Sequence, residues 1–296
     1  RMSIFLKNSR LKIEIDKPGR NYRNSRFDWT GKITQITFDN KYTFCTEESL
    51  DPELLNIRGR GLYNEFGIDG ALGYDDCKPG EKFTKIGVGL IKKDAEKSYD
   101  FFRSYKVTPF KSLYKSDKQY VIFISYPTPC NGFAVELTKN ISIKNNILTI
   151  YYSLKNTGDK AVQTNEYCHN FLAVNRRRIN GEYKLHFPFS IEKEEIKELV
   201  DPDEVLQFNN NCISWKSEFK NQFFISSLNT GKKVKATWSL ENTELGVGIK
   251  ETGNFVPEKI NLWGNTHVVS PEIFIKIDLP PGKSISWVRE YKVYYL

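Results

Sequence analysis

The chain has 296 residues, enough for one large β domain or two smaller domains, and its 44 basic and 36 acidic residues give a formal net charge of +8. The lysines are scattered, and the one tight basic cluster, at 176–178, has only three arginines, so no nucleic-acid-binding stripe is predicted. Aromatic residues make up 14% of the chain, with 16 Tyr, 20 Phe and a single Met. This composition favours pleated sheets over packed helices and predicts an all-β protein.

The cysteines and the apolar segments are the features of the sequence that predict the cellular location of the protein. The five cysteines are odd in number, widely spaced and without a C-x-x-C pair, so neither a disulfide framework nor a zinc site is predicted. We interpret them as free thiols of a reducing cytosol, which predicts a cytoplasmic protein. No run of 18 apolar residues is present, and RMSIFLKNSR lacks the pattern of a signal peptide, so no membrane partner is expected.

Alternating apolar and polar residues predict strands from one end of the chain to the other. The first two, SIFL and LKIEID within 3–16, flank a polar KNSR that predicts a hairpin turn. The later strands are predicted at 32–38, 120–126, 132–137, 147–154, 166–174, 223–227, 234–240, 273–279 and 284–295.

Helical periodicity is confined to one segment. In IEKEEIKEL, at 191–199, apolar residues recur at helical spacing and carboxylates lie in the first turn, so one short helix is predicted. No linker rich in Pro or Ser, no low-complexity tract and no repeat of fixed period marks a boundary. A single domain over 1–296 is therefore predicted.

Several catalytic classes are excluded by missing motifs. The chain has neither the G-x-S-x-G of α/β-hydrolases nor a Walker A or G-x-G-x-x-G phosphate loop. The three histidines, at 169, 186 and 267, are far apart and lack paired ligand spacing, so no metal site is predicted. What remains is acid–base chemistry by a histidine and carboxylates.

Two residues are the candidates for that chemistry. His169 lies in TNEYCHNFLAVN, and on a strand Tyr167, His169 and Phe171 share one face, which places an imidazole between two aromatic rings. Glu272 stands at the start of a late predicted strand, on the face opposite the core isoleucines. A hydrogen-bonded core histidine and an ordinary exposed glutamate are the alternative interpretations.

These two segments together resemble the aldose 1-epimerase, or galactose mutarotase-like, superfamily. The resemblance is carried by ILTIYYSLKNTGDKAVQTNEYCHNF, with a strand, an N-T-G turn and the histidine-bearing strand in order. Three further segments carry it: YRNSRFDWTGKI at 22–33, FTKIGVGLIKK at 83–93 and SPEIFIKIDLPPGKSISW at 270–287. It spans nearly the whole chain and implies a large antiparallel β-sandwich, a supersandwich with little helix.

The resemblance also implies an isomerase that acts on a small sugar and needs no cofactor. In this family a glutamate removes the proton of the anomeric hydroxyl group while a histidine protonates the ring oxygen, so that the ring opens and can reclose on either face. By position, Glu272 matches the base and His169 the acid. With ordinary pKa values of about 4.3 and 6.5, we expect an ionised glutamate and a partly protonated histidine near neutral pH.

The candidate substrate-binding residues depart from the family pattern. Many members carry a second histidine before a glycine in an earlier strand, and here Lys85 is the candidate replacement as donor to a sugar oxygen. Arg26 and Arg60 are alternatives for the sugar-binding arginine, and Glu65 could bind hydroxyl groups or pair with an arginine. The candidate aromatic platforms are Trp29, Tyr63 and Trp263.

Three other functions are compatible with the sequence. A carbohydrate-binding protein could keep the fold and the sugar cleft without turnover. A hexose-6-phosphate epimerase is suggested by the positive charge and by Arg58, Arg60 and Lys85, and it predicts salt-sensitive binding of the phosphate. A β-sandwich interaction module is the third, and it predicts that His169 and Glu272 do not meet across a concave cleft at a separation that a pyranose ring could bridge.

Overall fold

The structure, a computed structural model, describes residues 2–296, and most of its regular elements are strands. The strands of these residues are β1 (Ser3–Lys7), β2 (Leu11–Asp16), β3 (Lys32–Phe38), β4 (Tyr42–Thr43), β5 (Leu62–Phe66), β6 (Lys82–Lys85), β7 (Gly89–Lys92), β8 (Val107–Pro109), β9 (Lys111–Ser116), β10 (Tyr120–Tyr126), β11 (Val135–Lys144), β12 (Ile147–Asn156), β13 (Val162–Asn170), β14 (Tyr183–His186), β15 (Glu198–Val200), β16 (Leu206–Asn209), β17 (Cys212–Trp215), β18 (Phe223–Ser226), β19 (Thr237–Asn242), β20 (Val247–Gly253), β21 (Lys259–Asn265), β22 (Val268–Leu279) and β23 (Ser284–Tyr295). Short 3₁₀ helices lie at Pro52–Leu54, Val174–Arg176 and Lys193–Glu195. The predicted all-β class with little helix is confirmed.

The strands form two ten-stranded antiparallel sheets and one small sheet. The first sheet has the order β1-β2-β3-β5-β13-β22-β21-β18-β15, with β4 paired to β3. The second has the order β16-β17-β14-β19-β20-β23-β12-β11-β10-β9, and β6, β7 and β8 form the small sheet. The hairpin predicted within 3–16 is confirmed as the pair β1 and β2.

One hydrophobic core is shared by the two large sheets. Strand alternation sends every second side chain inward, so that Ile150 and Leu154 enter the core from β12 of the second sheet. Ile273 and Ile277 enter it from β22 of the first sheet. The predicted large antiparallel β-sandwich is therefore confirmed.

Sequence alternation locates the long strands better than the short ones. The predicted strands at 32–38, 120–126 and 284–295 have the observed bounds, whereas the one at 132–137 begins at Val135 and continues to Lys144. The strands that the sequence did not reveal include several of two to four residues, such as β4, β6, β7 and β16. Two to four residues are too few to establish a period.

The helix predicted at 191–199 is wrong. The structure has only a 3₁₀ turn at Lys193–Glu195, followed by β15, which pairs with β18 at the edge of the first sheet. Nine residues are too few for a stable isolated helix, because nucleating the first turn is unfavourable. Ile196 and Leu199 pack against the core from an extended chain instead.

The centre of the first sheet positions the candidate residues. β13 lies between β5 and β22, and its pairing with β22 runs as far as Tyr167 opposite Phe274. Continuing that register places His169 opposite Glu272, and Leu172 pairs again with Val269 further along. Both candidates therefore lie on neighbouring central strands.

Two sequence predictions stay predictions at this level: the single domain over 1–296, of which Arg1 lies outside the described residues, and the cytoplasmic location. Within 2–296, no helix has the length and apolar character needed to cross a membrane.

We expect Gly61→Ala to destabilise the fold next to β5. Gly61 has φ +65°, and an added Cβ atom would collide with the backbone carbonyl oxygen of Ile33 on β3. The free energy of unfolding, measured by urea denaturation, should fall by about 1–3 kcal/mol or more. Gly70→Ala is the control, since no atom lies within 4 Å of its added Cβ, and it should change stability by less than about 0.5 kcal/mol. Equal stabilities of the two variants would contradict this account.

Candidate active site

A cleft with a volume of about 720 Å³ opens on the face of the first sheet that points away from the shared core. Tyr167 and His169 of β13 line it, while Cys168 between them points into the core. Glu272 and Phe274 of β22 line it in the same way. This volume lies within the range of small-molecule sites in proteins.

His169 lies in the floor of the cleft between aromatic rings. Its imidazole stacks on Phe171 with ring centroids 3.9 Å apart, and the edges of Trp263 and Phe27 approach it at 5.4 and 6.0 Å. Tyr167 lies 5.9 Å away on the same face of β13, the arrangement that strand alternation predicted. The histidine side chain is only 6% exposed.

Glu272 lies directly beside this histidine, and a serine contacts both. Nε2 of His169 is 3.3 Å from Oε1 of Glu272. The hydroxyl oxygen of Ser270, two residues before Glu272 on β22, lies 2.8 Å from Nδ1 of His169 and 3.2 Å from Oε1 of Glu272. Sequence reasoning missed Ser270, although its i, i+2 spacing from Glu272 on a strand was the available signal.

Burial shifts the pKa values of both groups toward their neutral forms. Desolvation holds the pKa of His169 well below its ordinary 6.5, and the positive charge of Arg26 acts in the same direction. Desolvation raises the pKa of the Glu272 carboxyl group to about 8, against the opposing effects of Arg26 and the Ser270 hydroxyl group. Near neutral pH the pair is therefore a carboxylic acid beside a neutral imidazole.

This charge state corrects one expectation from the sequence. Ordinary pKa values predicted an ionised Glu272 and a partly protonated His169, but burial penalises both charges. The two states contain the same number of protons, because moving one proton from Glu272 to His169 converts the neutral pair into the ion pair.

Arg26 forms the wall next to the pair and is held there by a buried carboxylate. Its Nε donates to Oε2 of Glu65 at 2.8 Å, and a terminal nitrogen donates to the Tyr167 hydroxyl group at 2.9 Å. The Tyr167 hydroxyl group also donates to Glu65, at 2.6 Å. The ring of Phe101 covers the guanidinium group at 4.5 Å. Of the two candidate arginines, Arg26 is the one that lines the cleft.

Of the other predicted binding residues, one lines the cleft and the rest do not. Trp263 lines the cleft, whereas Glu65 is fully buried beneath it. Lys85 is also buried, donates to the Gly67 carbonyl oxygen at 3.1 Å and lies 3.5 Å from Glu65, and burial lowers its pKa to about 8. The remaining candidates that do not line the cleft are Trp29, Arg60 and Tyr63.

The Lys and Arg side chains that line the cleft have carboxylates close by. Arg26 lies 3.5 Å from Glu48 in addition to its bond with Glu65. Arg58 lies 3.8 Å from the same Glu48, and Lys259 lies 3.7 Å from Asp69. The sequence could not reveal these pairs, because Glu48 and Asp69 lie in connecting segments without a motif.

Proton transfer is the chemistry that this group of side chains offers. His169, Ser270 and Glu272 each hold or accept a proton within 3.3 Å of one another. Within residues 2–296, no three His, Cys, Asp or Glu side chains are grouped so that they could hold a metal ion.

Solved structures of other proteins share this fold. The chain is similar to a protein from Synechocystis sp. PCC 6803, with TM-score 0.62, 13% identity and coverage of 99% of this chain and 96% of that one. It is also similar to a galactose mutarotase related enzyme from Lactobacillus acidophilus, with TM-score 0.61, 14% identity and coverage of 99% of this chain and 97% of that one. For a galactose mutarotase-like protein from Clostridium acetobutylicum, the TM-score is 0.60 and the identity 11%, with coverage of 99% of this chain and 95% of that one. The chain therefore has the galactose mutarotase-like fold, as the sequence resemblance implied.

The comparison at the level of sequence gives a different result. A scan against protein-family models and a search of curated proteins each found no match. At 11–14% identity, the likeness to the solved structures concerns the fold alone.

We expect Glu272→Gln to stabilise the protein increasingly as the pH rises. The folded-state pKa of Glu272, about 8, is above its ordinary 4.5, so the folded protein binds a proton that the unfolded chain releases in this window. Wild-type stability therefore falls between these pH values by at most about 1.4 kcal/mol per pH unit from this group, and the glutamine variant avoids that loss. Urea denaturation at a series of pH values measures the difference.

The matched control for this experiment is Glu198→Gln. Glu198 lines the same cleft but is exposed, so its variant should follow the pH dependence of the wild type. A constant stability difference between Glu272→Gln and wild type from pH 4 to 9 would contradict the buried, protonated carboxyl group.

Proposed function

We propose that the protein interconverts the anomers of a free sugar, with Glu272 as the base and His169 as the acid of ring opening. The observation that carries the proposal is the position of these two groups, 3.3 Å apart in the floor of one cleft. The similar fold of a galactose mutarotase related enzyme supports it. The alternative, a sugar-binding protein without turnover, gives no reason for an acid–base pair buried at this point.

The side-by-side arrangement suits the geometry of the reaction. The anomeric hydroxyl group and the ring oxygen of a pyranose are attached to the same carbon, so a base and an acid must reach two neighbouring atoms. Glu272 takes the hydroxyl proton, His169 gives a proton to the ring oxygen, and the bond between the anomeric carbon and the ring oxygen breaks. Rotation of the aldehyde and the reverse proton transfers close the ring on the other face.

Other cleft residues can hold the sugar against this pair. The partly exposed indole of Trp263 lies beside His169 and offers an apolar surface to the C–H face of a sugar. Arg26 and Asn261 line the same cleft and carry N–H groups that can donate to hydroxyl oxygens. Because Arg26 is fixed by Glu65, it is oriented before the sugar binds.

We expect Glu272→Gln to abolish the catalysis of mutarotation. The loss of optical rotation of fresh α-glucose and α-galactose should be faster with the wild-type protein than in buffer. Removing the base should reduce the catalysed rate about 100-fold or more, since general acid–base catalysis contributes about 10²–10⁴-fold. His169→Asn should have a comparable effect.

Glu198→Gln is again the control and should retain the wild-type rate, because this carboxylate is exposed and forms no hydrogen bond or ion pair with His169, Ser270 or Glu272. Equal rates for Glu272→Gln and wild type would refute the role of Glu272. A wild-type protein that binds sugars but accelerates none of them would favour the non-catalytic binder.

We expect an uncharged hexose to be a better substrate than its 6-phosphate. Arg58 and Lys259 each have a carboxylate within 4 Å, and the buried Lys85 does not line the cleft, so a phosphate would have to compete with these carboxylates. The kcat/KM for the hexose should exceed that for the 6-phosphate and should change little between about 0.05 and 0.5 M NaCl. A higher, salt-sensitive kcat/KM for the phosphate, lost in Arg58→Gln, would support the sugar-phosphate epimerase instead.

A further inference from the structure

Ser270 occupies a break in the pairing of the two catalytic strands. The ladder between β13 and β22 runs to Tyr167 and Phe274, and pairing resumes at Leu172 and Val269. Between these points, the backbone N–H of Asn170 donates to the Ser270 hydroxyl oxygen at 3.0 Å instead of to a carbonyl oxygen. The serine is fully buried and does not line the cleft.

The hydroxyl group of Ser270 has a complete set of partners. A serine hydroxyl has one proton to donate and two lone pairs that accept. The Asn170 N–H uses one lone pair. The Ser270 hydroxyl group lies 3.2 Å from Oε1 of Glu272 and donates to that oxygen when Glu272 is a carboxylate. When the carboxyl group is neutral, its own O–H can donate to the second lone pair of Ser270 instead. The remaining proton of Ser270 then points to Nδ1 of His169 at 2.8 Å. This arrangement requires the tautomer of His169 that carries its proton on Nε2.

We propose that Ser270 is a proton relay that carries the proton of Glu272 to His169 and so creates the base and the acid of the proposed function, on which this inference rests. The carboxyl O–H bond of Glu272 breaks and its proton binds to the Ser270 oxygen. The original Ser270 proton moves to Nδ1 of His169. Serine is unchanged, Glu272 becomes a carboxylate, and His169 becomes an imidazolium whose Nε2 proton faces the cleft.

The products of the relay match what ring opening consumes. The carboxylate accepts the proton of the anomeric hydroxyl group, and Nε2 of His169 releases its proton to the ring oxygen. Glu272 is then protonated and His169 is neutral with its proton on Nδ1. Ring closure reverses both transfers, and the relay returns the pair to its starting state with no proton gained or lost.

The direct contact between Nε2 and Oε1 is a less suitable route. Both atoms belong to the groups that must face the sugar, so a bound sugar competes for the space between them. The relay uses the buried side of the pair, through Nδ1 and Ser270, and stays in place when the cleft is occupied. Arg26, Glu65 and Lys259 are the charged groups that act on Glu272, and none of them contacts Nδ1 of His169.

The first test is the effect of Ser270→Ala on sugar mutarotation. We expect kcat to fall about 10–100-fold with KM changed less than about twofold, because the alanine removes the proton route and leaves the cleft surface intact. Ser270→Thr keeps the hydroxyl group and should recover most of the activity. Ser125→Ala, which removes a buried serine from β10 of the second sheet, should retain the wild-type kcat. Thermal melting confirms that each variant is folded.

An unchanged kcat in a folded Ser270→Ala variant would overturn the relay while leaving the proposed function intact. The relay would also be overturned if Ser270→Ala loses activity and a Ser270→Thr variant that is folded like the wild type does not recover it. If the wild-type protein itself accelerates no sugar, the proposed function fails and the relay fails with it.

A second test reads the histidine directly and needs no turnover. The chain has only three histidines, so ¹⁵N NMR of the imidazole nitrogens can be assigned with single-histidine variants. We expect wild-type His169 near neutral pH to carry its proton on Nε2, and Ser270→Ala to lose this preference. A wild-type His169 with its proton on Nδ1 would overturn the relay, whatever the activity measurements give.

Discussion

The antiparallel register of β13 against β22 is the constraint on which both the core and the cleft depend. Because side chains alternate along a strand, this one alignment sends Cys168 and Ile273 into the sandwich and His169 and Glu272 to its outer face. A shift of one residue in either strand would put the catalytic candidates into the core and apolar side chains into the cleft. The apolar residues that hold the sheets together therefore also determine which polar groups meet on the other side.

A buried ionic network connects the second sheet to β13 and β22 and stabilises their register. Arg289 of β23 donates to Glu166 of β13 at 2.7 Å and to Glu251 at 2.8 Å. The Asn170 side chain donates to Glu251 at 3.1 Å and to the Pro271 carbonyl oxygen at 2.7 Å. Buried charges are costly unless they are paired and hydrogen-bonded, and here they bind the residues next to His169 and Glu272. The network thus connects the two strands that carry the candidate pair to the opposite sheet.

Much of this organisation could be predicted from the sequence, and the failures have physical causes. Alternation and the resemblance predicted the sheets, because alternation is local in the chain. They also selected His169 and Glu272 as candidates, and the structure places these two side chains 3.3 Å apart. The pKa values of the pair depend on burial among residues distant in sequence, so the ordinary pKa values predicted the wrong protonation states for both groups. Lys85 matched a family position but lies beneath the cleft, in contact with Glu65, which only the three-dimensional packing reveals. The segment at 191–199 has helical spacing, yet an edge strand and the core determine its conformation.

Burial gives the pair its particular chemistry. Charging either group alone in this site is unfavourable, since desolvation opposes both the imidazolium and the carboxylate. A transfer from Glu272 to His169 creates both charges at once and leaves the net charge of the site unchanged. In a medium of low polarity, the attraction between opposite charges about 3 Å apart offsets much of the desolvation cost. A buried pair linked by Ser270 can therefore stay neutral at rest and still supply a base and an acid together, which a single exposed histidine or glutamate cannot do.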